Sequence, residues 1–105
     1  MDKEAIVARI REVLRAHPRV LRAELFGSVA RGEARPDSDV DLVMHYAPGT
    51  DILDTADVGA DLEERLGRPV SLLSARVLEN PPEKSMALLA RYIEPDRELI
   101  YERKA

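Results

Sequence analysis

Two aspartates separated by one residue, Asp39 and Asp41, head an apolar run that reaches Tyr46, and Gly27-Ser28, with ten residues between it and Asp39, closes another apolar run. Side chains of a strand alternate between faces, so the two carboxylates project from one side with Cα atoms about 6.5 Å apart. That spacing suits one divalent cation, since Mg²⁺ is commonly held by one or two carboxylates and completed by substrate phosphates. Gly27 and Ser28 end the first strand and open a helical turn, where unpaired backbone N–H groups and a hydroxyl can meet a phosphate. A short loop carrying Arg31, Gly32, Arg35 and Pro36 joins the two halves.

The whole string, GSVARGEARPDSDVDL, resembles the signature of the polymerase-beta-type nucleotidyltransferases. It is most similar to their smallest members, the minimal nucleotidyltransferases, many of which are antitoxins paired with a HEPN-domain ribonuclease. A bare D-x-D arises often by chance, whereas GS, ARG, DSD and the second aspartate in register do not arise together. The resemblance implies Asp39 and Asp41 as catalytic ligands of Mg²⁺ or Mn²⁺, with Gly27, Ser28 and Arg31 against the phosphates. It also implies transfer of AMP from ATP to a hydroxyl of a partner protein, with a HEPN-type toxin as that partner, and a mixed sheet with helices packed on one side.

One position departs from the pattern. Active members carry a third carboxylate on a neighbouring strand, in a PVDLV-like segment, as a metal ligand or a general base. Here the segment reads Pro69-Val70-Ser71-Leu72-Leu73, which puts Ser71 where that acid is expected. Serine at its ordinary pKa is neither a strong Mg²⁺ ligand nor a useful base. Either another acid reaches the site, with Asp54, Asp57 and Glu79 as candidates, or the chain is a catalytically impaired antitoxin that binds nucleotide and neutralises its toxin by contact.

The elements that must position these residues are legible in the apolar spacing. Ile6, Ile10, Val13 and Leu14 mark a helix from Lys3 to about Ala16, stopped at His17-Pro18. Val20 to Phe26 reads as a strand with Leu21, Ala23 and Leu25 on one face and Arg22 and Glu24 on the other. In the strand after the loop, Val40, Leu42, Met44 and Tyr46 point away from the aspartates. Asp51 to Leu66 is helical with Gly67 as its left-handed terminator, Val70 to Leu73 is a short third strand, and Glu83 to Ile93 is a further helix. Arg97 to Arg103 reads equally as a final strand or a helical continuation. This alternation describes one small α/β (α+β) domain over residues 1–105.

Composition narrows the function further. A net charge of −4, from 16 basic and 20 acidic residues, argues against general nucleic-acid binding, so phosphate recognition must be local. A single Phe and no Trp leave no platform for stacking single-stranded bases. The absence of cysteine excludes disulfides and thiolate metal sites. No apolar run approaches membrane-spanning length, and the expected location is the cytoplasm. His45 shares strand parity with the aspartates but lies four residues beyond Asp41, and is read as a rim histidine. Tyr46, Tyr92 and Tyr101 are read as core or rim aromatics.

Overall fold

The computed structural model describes residues 1–104, which form a four-stranded mixed sheet flanked by helices. Helix α1 (Lys3–Arg15) is opened by the Asp2 carboxylate, which accepts the Ala5 N–H at 2.8 Å. Its buried stripe, Ile6, Val7, Ile10, Val13 and Leu14, lies on the sheet beside helix α3 (Ile52–Leu66). A capping box between Asp51 and Asp54 begins α3, and Gly67, at φ +69°, ends it in the left-handed conformation the sequence predicts.

The strands are β1 (Val20–Phe26), β2 (Val40–Tyr46), β3 (Val70–Ser74) and β4 (Glu98–Glu102), in the order β3-β2-β1-β4. β2 runs antiparallel to β1 and parallel to β3, and β4 closes the far edge antiparallel to β1. The carboxyl-terminal segment is therefore a strand. A 3₁₀ turn at Glu94–Asp96 ends the preceding helix, and Ile100 enters the core.

Val20, Ala23, Leu25, Val40, Leu42 and Met44 bury one sheet face beneath α1 and α3. Leu21 is not among them, because the β1–β2 pairing slips between Val20 and Arg22 and the slip changes which side chain faces inward. The long helices thus share one side of the sheet. Two shorter ones, α4 (Ala75–Glu79) and α5 (Lys84–Ile93), cover part of the opposite face, where Ala75, Leu78 and Ile93 pack on Phe26 and Val43. At one turn and a half, α4 is too short to show a helical period in the sequence.

Candidate active site

β1 delivers Phe26 opposite Asp41, and the chain then turns sharply at Gly27 into helix α2 (Gly27–Arg31). Gly27 adopts φ +78°, a conformation that side-chain-bearing residues rarely take. A Cβ built there would stand 2.4 Å from Asp41 Oδ2 and 3.3 Å from its Cγ. The backbone of the turn and the carboxylate are therefore in direct apposition, and any side chain at position 27 would have to displace the Asp41 carboxylate. Ser28 follows in the first turn of α2, where N–H groups lack helical partners. Gly32 ends the helix, and the Glu33 N–H returns to the Ser28 carbonyl at 2.9 Å.

Asp41 lies on the central strand β2, on the face opposite Val40 and Leu42. Burial pushes its carboxyl above the ordinary carboxylate value, the neighbouring charge of Asp39 adds to that rise, and Arg31 opposes it. Asp39, exposed just before β2, and Arg31, at the end of α2, are thus close enough to act on Asp41 electrostatically. Three of the residues singled out in the sequence share one small region with the Gly27-Ser28 turn. Arg31 is engaged on both sides: its Nε donates to Glu33 Oε1 at 2.6 Å and its Nη1 to Asp96 Oδ2 at 2.7 Å.

The parallel pairing of β2 and β3 sets Asp41 opposite Ser71. Paired residues of neighbouring strands share a face, so the exposed Ser71 lies alongside Asp41. The alternative acids do not fill that place. Asp54 and Asp57 belong to α3, which covers the other face of the sheet. The Asp54 carboxylate accepts the N–H of Asp51, the residue that caps that helix, and Asp54 and Asp57 line a shallow cavity with His17, Pro18 and Arg19. Glu79 ends α4, exposed to solvent. Among the described residues, no group of three or more His, Asp or Glu side chains converges as a metal site.

The loop between the two halves is shaped by its own side chains, with the Arg35 N–H donating to Ser38 Oγ at 2.8 Å. His45 lies further along β2, half-buried, with Nε2 3.5 Å from Glu24 Oε1. Burial raises the Tyr46 hydroxyl to about 12, which keeps it neutral. Sequence reasoning assigned Glu24 to a polar strand face. In the fold it is buried and receives both Nε and Nη2 of Arg97 at 2.5 Å. Those residues are far apart in the chain, and no local pattern signals the pair.

A sequence profile described as "Polymerase beta, Nucleotidyltransferase" matches residues 8–105, so the chain belongs to that nucleotidyltransferase family. Among its relatives, a protein of Methanocaldococcus jannaschii named provisionally as a protein adenylyltransferase is 36% identical over 74 residues, which span 70% of this chain and 78% of the relative. A solved structure described provisionally as a minimal nucleotidyltransferase superposes with a TM-score of 0.72 at 39% identity, covering 96% of each chain. A further solved structure, the tri-AMPylated HEPN toxin of Shewanella oneidensis in complex with MNT antitoxin, gives a TM-score of 0.66 at 18% identity over 96% of this chain and 73% of the other, a likeness of fold alone. The chain is a minimal nucleotidyltransferase by family and by fold. No helix among the described residues is long and apolar enough to cross a membrane.

Proposed function

We propose that this protein transfers AMP from ATP to a hydroxyl of a HEPN-type toxin, as the antitoxin of a cytoplasmic pair. The observation that carries the reading is the apposition of Gly27 and Asp41, which sets a side-chain-free turn against a carboxylate whose neighbour is Asp39. Carboxylate oxygens are hard donors, and this donor set fits Mg²⁺ or Mn²⁺, which Asp39 and Asp41 would hold with substrate phosphates. A divalent cation there supplies neutralisation of polyphosphate charge.

The chain's own residues do the rest. Gly27 lets the backbone approach a phosphate closely, Ser28 offers a hydroxyl donor, and Arg31 adds a guanidinium at the far end of α2. In the reaction the acceptor hydroxyl gives up its proton to water, and its oxygen bonds to the α-phosphorus as the bond to pyrophosphate breaks. Positioning and charge neutralisation provide most of the rate in such chemistry. The relatives' adenylyltransferase name and the toxin complex of a fold neighbour support the choice of AMP and of acceptor.

Ser71 supports a second reading, in which the chain binds nucleotide and silences the toxin by contact, because the acceptor hydroxyl finds no carboxylate at that register position. The test is calorimetry with Mg²⁺ and ATP, then intact-mass measurement of both proteins after incubation with the cognate toxin. The expected result is metal-dependent nucleotide binding and a toxin heavier by one or more AMP units, both lost in Asp39→Asn/Asp41→Asn. Unchanged nucleotide-dependent metal affinity in that double variant would overturn the site. Binding without transfer would favour the contact antitoxin.

A further inference from the structure

The 3₁₀ turn Glu94–Asp96 and the residue after it grip the phosphate turn from both sides. Asp96 accepts Nη1 of Arg31, four residues after Gly27, at 2.7 Å. Arg97 makes its 2.5 Å pair with Glu24, three residues before Gly27. Two successive residues thus pin the strand entering the turn and the helix leaving it, across sequence separations of 65 and 73 residues. The anchor is firm, since Glu24 is buried and Arg97 largely so.

We propose that Asp96 is a positioning residue for nucleotide binding, holding Arg31 in the orientation in which its guanidinium meets the polyphosphate. This rests on the nucleotide site proposed above. An arginine side chain has several freely rotating bonds, and ordering it in advance removes a cost that a ligand would otherwise bear. Glu33 cannot supply this order by itself, being two residues away on an exposed loop, with 64% of its side chain in solvent against 21% for Asp96. The two bonds engage Nε and one N–H of Nη1, which leaves three of the five guanidinium donors for phosphate.

Calorimetry with Mg²⁺ and ATP on the full chain tests this through Asp96→Asn, Asp96→Glu, Arg31→Gln and the double variant Arg31→Gln/Asp96→Asn. Asp96→Asn should weaken binding about 5- to 20-fold, a charge-assisted contact loosened but not removed, and Asp96→Glu should recover part of the loss. In the Arg31→Gln background, Asp96→Asn should change affinity by less than about twofold, because coupled residues are non-additive. Thermal unfolding of each variant separates a general loss of stability, which would weaken both backgrounds alike. Equal or tighter binding by Asp96→Asn, or the same loss in both backgrounds, would overturn the proposal while leaving the nucleotide site standing. Failure of the wild type to bind would overturn the nucleotide reading and this proposal with it.

Discussion

Asp41 and Ser71 stand opposite each other on adjacent parallel strands, the carboxylate partly buried and the serine exposed. A side chain at position 71 therefore lies on the same side of the sheet as Asp41, beside the carboxylate on which the proposed reaction depends. Ser71→Asp should raise the rate of AMP transfer to the cognate toxin, by up to about 10²–10⁴-fold if the new carboxylate takes the acceptor proton. A single-turnover assay at saturating nucleotide measures this. No gain would reject the view that position 71 is the deficit.

Gly27 carries two independent constraints, its positive φ and its contact with Asp41. Gly27→Ala should cost about 1–2 kcal/mol from the backbone conformation alone, and should also displace the Asp41 side chain. Ser28→Ala, by contrast, should keep the fold and lose one hydrogen bond to a charged group, about 1.5–3 kcal/mol of nucleotide affinity. Denaturant unfolding and calorimetry on the two variants separate the effects. Wild-type nucleotide affinity in both would return the turn to a purely structural role.

The raised carboxyl of Asp41 gives a stability signature without substrate. Burial and Asp39 favour its protonated form in the folded chain, so the native state holds this proton more tightly than the unfolded state does. Stability from this group is present at pH below its ordinary value of 3.8 and is lost as pH rises through the raised value. Asp41→Asn should therefore unfold at a higher temperature than wild type at pH 7, with the difference shrinking as pH falls through that window. Adding Mg²⁺ and ATP should reverse the order, because ligand stabilises only the chain that binds it. Thermal melts across pH, with and without ligand, check both signs.

Much of this protein was legible before its structure. The period of the apolar residues marked α1, α3, α5 and the first three strands, because burial on one face imposes a spacing of 3.6 or 2 that any stretch of sequence displays. Gly27 is legible because its turn takes a positive φ that favours glycine, whereas Ser28, Asp39 and Asp41 stand out in the sequence by their chemistry, their spacing and the family resemblance. The side that Asp41 faces followed from the same alternation.

What remained depended on which distant segments meet. The slip between Val20 and Arg22 turned Leu21 out of the core, and only the partner strand reveals it. The last segment became β4 because β1 offered an open edge. Asp54 and Asp57 were equal to any other acids as text, until α3 packed on the far face of the sheet. Asp96 pairs with Arg31 and Arg97 with Glu24, and hydrogen bonds across such separations leave no periodic trace in the sequence. The sequence by itself determined the local chemistry of the turn and the strand head. Tertiary pairing decided which side chains complete it, since strand register and helix packing are set by contacts between segments rather than within them.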